Sequence, residues 1–195
     1  LNPSSAASDV YKRQLCDGVM VARGDLGVEM PAEEVPLLQK DLIHKANSLG
    51  IPIITATQML DSMASSPRPT RAEVSDVANA ILDGTDAVML SNETAVGDFP
   101  VEAVETMATI ARRIERDYPQ RPIDTHLPST IPNAISGAVS SIARQLNAAA
   151  ILPLTKSGAT AHNVSKFRPS TPILAITSEV NVARKLQLVW GVSPL

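Results

Sequence analysis

Short apolar runs alternate with helical-period stretches along most of this chain. Val19-Met20-Val21-Ala22 is apolar and stops at Arg23-Gly24-Asp25-Leu26-Gly27. Such a run, bounded by glycine, predicts a buried strand ending in a glycine-flanked turn with a carboxylate at its C-terminal mouth. The pattern recurs where Ile51-Pro52-Ile53-Ile54-Thr55 runs into Ala56-Thr57-Gln58, and again where Ala87-Val88-Met89-Leu90 runs into Ser91-Asn92-Glu93-Thr94. Between these runs, Val35, Leu38, Leu42, Ala46 and Leu49 recur at helical spacing across 33–49, and Gly50 ends that helix. Thr70-Arg71-Ala72-Glu73 reads as a capping box, followed by an apolar face of Val74, Val77, Ala78, Ile81 and Leu82 that Gly84 closes. Asp98 and Pro100 open a further helix with a face of Val104, Met107, Ala108, Ala111 and Ile114. A helix is also expected from about Gln58, with Thr57 as its capping hydroxyl.

This order is that of parallel βα units, in which ligands bind past the C-terminal ends of the strands. Three units in about 100 residues cannot close an eight-stranded barrel, which takes about 250 residues. The stretch 15–118 is therefore either a small open sheet or the last part of a larger barrel. Residues 119–132 carry four prolines and read as a linker. A second α/β region follows at 133–195, with helices at 133–146, 159–167 and 180–188 and strands at 149–152 and 173–176. From Trp190 onward the chain reads as the beginning of another strand. Between a strand and a helix lies Thr155-Lys156-Ser157-Gly158-Ala159-Thr160, whose hydroxyls, lysine and free amides suit a phosphate.

Composition narrows the function classes. With 195 residues, 44% hydrophobic and 19% charged, the chain can bury a sizeable core. A formal charge of −3 leaves no basic excess for nucleic acid or an anionic membrane, and 3% aromatics leave little for base stacking. No apolar stretch approaches the roughly 20 residues that span a bilayer. The single cysteine, Cys16, reads as a small buried side chain and fits a reducing cytoplasm. His44, His126 and His162 have no spacing that points to metal or catalysis, and Trp190 reads as core. The Ser/Ala-rich tail 1–14 has no periodicity and reads as foreign to the fold.

Four segments carry a resemblance. Residues 20–29, Ile54-Thr55-Ala56-Thr57-Gln58-Met59-Leu60, Pro67-Arg68-Pro69-Thr70-Arg71-Ala72-Glu73 and Val88-Met89-Leu90-Ser91-Asn92-Glu93-Thr94 closely resemble pyruvate kinases, in the right order and at compatible spacing. The resemblance implies an α/β fold: the C-terminal strands of a TIM (β/α)8 barrel at 15–118, the linker, then part of an allosteric α/β domain at 133–195. It implies a cytoplasmic homotetramer that transfers phosphoryl from phosphoenolpyruvate to ADP, giving pyruvate and ATP with Mg2+ and K+. It makes Asp25 a magnesium ligand. Ala22, Arg23, Gly24, Asp25 and Thr57 would bind substrate, with the Gly24 and Asp25 amides cradling its carboxylate. Thr57, Ser91 and Glu93 would serve proton delivery, and Thr155, Lys156, Ser157, Gly158 and Thr160 a sugar-phosphate effector. The family's potassium ligands fall in segments earlier than this block.

Each residue also has a plainer reading. Gly-Asp in a loop is ordinarily a turn, Ser91 and Glu93 can cap a helix, and Lys156 can simply be exposed. Arg23, Arg68 and Arg71 can be solvated, although their places within the motifs favour ordered ion pairs. Two other functions stand beside the kinase: a metal-dependent lyase of the phosphoenolpyruvate/pyruvate superfamily, and a non-catalytic sugar-phosphate-binding protein. The lyase would have no need of the 155–160 loop.

The family's Lys-x-Glu pair, whose lysine stabilises the transferring phosphoryl group, is not among residues 1–14, where that strand would precede Leu15. Losing a charge aimed at the transition state costs several orders of magnitude in rate. The 195 residues assayed alone are therefore expected to make no useful pyruvate in a lactate dehydrogenase-coupled assay, and robust turnover would refute this.

Overall fold

A computed structural model describes residues 16–117 and 130–195. The tail 1–14, residues 119–129 of the proline-rich stretch, and His126 lie outside the described residues. The chain divides into two compact units, one of Leu1–Ala46 with Ile53–Pro119 and one of Asn47–Pro52 with Gln120–Leu195.

In the first unit the three apolar runs form one parallel sheet in the order β1 (Val19–Ala22), β2 (Ile53–Ala56), β3 (Ala87–Met89). The register pairs Ala22 with Ala56 and Ala56 with Met89, so all three strands end level. Side chains pin the other end. Asp86 Oδ2 accepts the Ile53 N–H at 2.9 Å, and the buried Thr55 hydroxyl donates to Thr85 Oγ1 at 3.0 Å.

The helices are α1 (Arg23–Glu29), α2 (Val35–Leu49), α3 (Arg71–Leu82), α4 (Asn92–Ala95) and α5 (Pro100–Asp117), with a 3-10 turn at Asp61–Ala64. One cluster joins Val21, Ile43, Ala46 and Ile53, setting α2 on the sheet. A second joins Met59, Leu60 and Met63 to Val77, Ala80 and Ile81 of α3 and Ala103 and Met107 of α5.

Two expected faces differ in detail. Val74, Leu82 and Val104 are exposed at 37%, 47% and 52%, while Ala80 and Ala103 are fully buried. Where α3 packs against α5, the small Ala80 and Ala103 are buried, while Val74, Leu82 and Val104 turn outward. The glycine-flanked turn expected after β1 is the helix α1. Cys16 is exposed, because it precedes β1 rather than lying within it.

The second unit holds α6 (Ile131–Gln145), α7 (Ala159–Ser165), β4 (Ile173–Ala175), α8 (Val180–Leu186) and β5 (Val192–Pro194), with β4 and β5 parallel. Its core includes Ala143, Ile151, Ala161, Val164, Ile173, Ala175, Leu186, Val189 and Val192. The strand expected at 149–152 is reduced to single bridges, Ile151 with Ile173 and Leu154 with Ile176. Pro153 stands between them and has no N–H to continue the ladder. Trp190 is only partly buried and lies beneath the buried Arg168 guanidinium, 4.9 Å from its carbon to the ring centroid. Among the described residues, no helix is long and apolar enough to cross a membrane.

The capping box of α3 is formed in full. Thr70 Oγ1 accepts from the Glu73 N–H at 3.3 Å, and Glu73 accepts from the Thr70 N–H at 2.7 Å. Glu73 also accepts from the Ser62 N–H at 2.7 Å and hydroxyl at 2.6 Å, tying the 3-10 turn to α3. Burial raises the Glu73 pKa, but the Ser62 and Thr70 hydrogen bonds outweigh it and hold the carboxyl below its ordinary 4.5. A carboxyl depressed in the folded state stabilises above that value and loses its contribution as pH falls through the folded pKa. In urea titrations across the acid range, Glu73→Gln is expected to flatten the fall in stability below pH 4.5, and Thr70→Ala to cost about 1 kcal/mol. An unchanged acid slope in Glu73→Gln would refute this.

Candidate active site

Because the three strands end level, the residues just beyond them are brought together. Arg23, Gly24 and Asp25 open α1 directly after Ala22, Thr57 and Gln58 follow Ala56, and Ser91 precedes α4 after β3.

The central segment is unusual. Thr57 and Gln58 both have left-handed backbones, with φ of 68° and 53°. That region disfavours a β-branched residue such as threonine, at about 1–3 kcal/mol per strained residue. The next side chains offset this: Met59, Leu60 and Met63 are fully buried, each stabilising by about 1.5–3 kcal/mol. No helix begins at Gln58, so Thr57 is not a helix cap. Instead its Oγ1 accepts the Gly24 N–H at 2.8 Å. The Gly24 amide, expected to face a substrate carboxylate, is therefore engaged by Thr57. In a first helical turn the amides have no partner within the helix, and the Asp25 N–H lies in that turn of α1.

Arg23 approaches the same segment. Its Nη2 donates to the Thr57 carbonyl at 2.7 Å and to the Gln58 carbonyl at 3.1 Å, and its Nε to the Thr57 carbonyl at 3.2 Å. Its Nη1 donates to Asp76 Oδ2 at 2.6 Å, and only 10% of the side chain is exposed. The ordered ion pair expected of the motif arginines is thus present at Arg23. Arg68 and Arg71 are exposed and form no ion pair among the described residues. No local pattern links Asp76 to Arg23, because the two lie 53 residues apart.

Glu93 is 1% exposed. One oxygen accepts the Leu60 N–H at 3.0 Å and the other the Ser91 N–H at 2.7 Å. It joins the loops after β2 and β3 through backbone amides. Ser91 stands at the N-cap of α4, yet its side chain makes no capping bond. The backbone beside it is crowded: a Cβ on Gly97 would lie 2.6 Å from the Glu93 carbonyl oxygen and 3.0 Å from Ala64 Cα, so only glycine fits.

Asp25 is exposed. Among the described residues, no group of three or more His, Cys, Asp or Glu could hold a metal. One carboxylate does not make a protein-only cage, but it suits magnesium, which takes one or two carboxylates alongside substrate phosphate and water.

In the second unit, Lys156, Ser157 and Thr160 are exposed before and within α7. The Thr155 hydroxyl accepts the Gly158 N–H at 2.9 Å, closing the loop. Gly158 has φ of 87° and its added Cβ would meet only ordinary contacts, so conformation rather than space requires glycine there. His162 Nδ1 lies 3.2 Å from the Gly50 carbonyl, and His44 is exposed.

Comparison with known proteins bears on both units. Residues 10–104 match the family described as pyruvate kinase, barrel domain, and residues 133–195 match pyruvate kinase, alpha/beta domain. Pyruvate kinase 2 of Synechocystis sp. is 73% identical over 180 residues, covering 92% of this chain and 30% of that protein. A pyruvate kinase of Geobacillus stearothermophilus is 60% identical over 183 residues, covering 92% and 31%. The crystal structure of a pyruvate kinase from Cryptosporidium parvum superposes with a TM-score of 0.89 at 46% identity, covering 94% of this chain and 38% of that one. The chain thus spans about a third of the length of the curated relatives it matches.

The Glu93 tie yields a stability prediction. Glu93→Gln turns one acceptor into an NH2 group facing a backbone donor, leaving a buried amide unsatisfied at about 1–3 kcal/mol. Thermal unfolding should move down by roughly 2–4 °C for each kcal/mol lost in a chain of this size. An unchanged melting temperature would contradict the tie.

Proposed function

Since this chain belongs to the pyruvate kinase family, with both of that family's domain signatures in order, we propose that it supplies part of a phosphoenolpyruvate and pyruvate site. The whole protein would transfer phosphoryl from phosphoenolpyruvate to ADP, in the cytoplasm and as a homotetramer. The observation that carries this reading is the meeting of Gly24-Asp25 with Thr57 past level parallel strands, fastened by the Gly24–Thr57 hydrogen bond. Parallel α/β sheets bind ligands at that end.

Asp25, exposed and at the mouth of β1, would be the protein's carboxylate on magnesium. Held there, a divalent cation would supply positive charge against the phosphoryl group. The Asp25 N–H, in the positive first turn of α1, would donate to the substrate carboxylate. The Thr57 hydroxyl would bind beside it and face the proton-delivery path. Glu93, with an amide on each oxygen, would position the loops that carry Thr57 and Ser91 rather than pass the proton itself. The family's potassium requirement has no ligand assigned among these residues. The loop from Thr155 to Thr160 would bind a sugar phosphate through Lys156, Ser157 and Thr160.

A graft tests this. These residues would replace the matching segment of the Synechocystis relative, which is 73% identical over that stretch. The graft is expected to form pyruvate in an ADP-dependent coupled assay, and Asp25→Asn to cut kcat by at least ~10²-fold. Turnover indifferent to Asp25→Asn, or independent of ADP as a lyase would be, would refute the reading.

A further inference from the structure

The Thr57–Gln58 turn is left-handed at two successive residues, neither of them glycine or asparagine. Something must hold it. Left alone, threonine at positive φ relaxes to the extended or right-handed region. Both carbonyls of this turn converge on one guanidinium, at 2.7 and 3.1 Å from Arg23 Nη2. The same nitrogen lies 2.8 Å from Met59 Sδ, so three consecutive residues face one cation. Asp76 orients the opposite arm at 2.6 Å. Arg23 also adjoins Gly24, whose amide meets the Thr57 hydroxyl, and Asp25.

We propose that Arg23, oriented by Asp76, is a positioning residue: its guanidinium holds the Thr57–Gln58 turn left-handed and so fixes the Thr57 hydroxyl relative to Gly24 and Asp25. The catalytic part of this inference rests on the proposed anion site. The Arg23 side chain is turned to the Thr57 and Gln58 carbonyls and to Asp76. It acts on a backbone conformation, and only a planar fork spans the two carbonyls and the carboxylate together. An ammonium at the same place keeps the charge and loses that reach.

The test uses the full chain and four variants: Arg23→Lys, Arg23→Gln, Asp76→Asn, and Arg23→Lys combined with Gln58→Gly. Amide hydrogen exchange of Gly24 and of residues 57–60 is compared with that of Thr55 in β2, which reports the sheet. Arg23→Lys is expected to speed exchange of the turn about tenfold or more relative to Thr55, Arg23→Gln at least as much, and Asp76→Asn less. Glycine adopts positive φ without strain, so Gln58→Gly should restore much of the lost protection in the Arg23→Lys background. A role in charge or general stability would not be rescued in this way.

Calorimetric titration with phosphoenolpyruvate in the presence of Mn2+ should follow the same order, affinity falling in Arg23→Lys and returning in the double variant. Unchanged turn exchange in Arg23→Lys, or no rescue by Gln58→Gly, would overturn the clamp. If the variants free the turn as expected but the wild-type chain does not respond to phosphoenolpyruvate with Mn2+, the clamp stands and the anion site is refuted.

Discussion

The site depends on a strained turn and the two side chains that bracket it. Thr57 and Gln58 leave β2 in a conformation that L residues avoid, and in doing so they aim the Thr57 hydroxyl at α1. Arg23 meets the turn from the β1 side, and Glu93 secures Leu60 from the β3 side. The buried trio Met59, Leu60 and Met63 outweighs the local cost, because burial of three large side chains exceeds the strain of two residues. Strain held by its surroundings in this way keeps the Thr57 hydroxyl on the Gly24 amide.

Register makes the arrangement possible. Ala22, Ala56 and Met89 lie level across the sheet, so residues far apart in sequence become neighbours without long loops. Thr85 and Asp86, both bonded to Ile53, fix that register at the opposite end, and a slip by one residue would turn every inward side chain outward. The second unit follows the same parallel logic in β4 and β5, with Thr155 closing the loop before α7.

Much of this was legible in the residues, for reasons that differ by element. The strands announced themselves as apolar runs, and the capping box at Thr70 and Glu73 by its spacing. Helix α1 did not, since Gly24, Asp25 and Gly27 are turn formers and only the strand end before them fixes the helix. The left-handed turn was hidden because its residues, Thr57 and Gln58, are not those that usually mark positive φ. The buried face of α3 departs from its apolar pattern, because helix crossing buries the small Ala80 while Val74 and Leu82 stay exposed. The Arg23–Asp76 pair and the Leu60 amide on Glu93 are contacts across 53 and 33 residues, which no local pattern records. The resemblance to pyruvate kinases named Asp25, Thr57 and Glu93 before any geometry did. Geometry then separated an exposed carboxylate, a tethered hydroxyl and a buried tie.

The proposed function puts Asp25 and Thr57 at one shared anion and metal site past the strand ends. The most direct measurement is paramagnetic broadening of amide resonances in this chain by Mn2+ with phosphoenolpyruvate. Selective broadening of Gly24, Asp25 and Thr57 is expected, abolished by Asp25→Asn. Broadening centred elsewhere, or unaltered by Asp25→Asn, would contradict it.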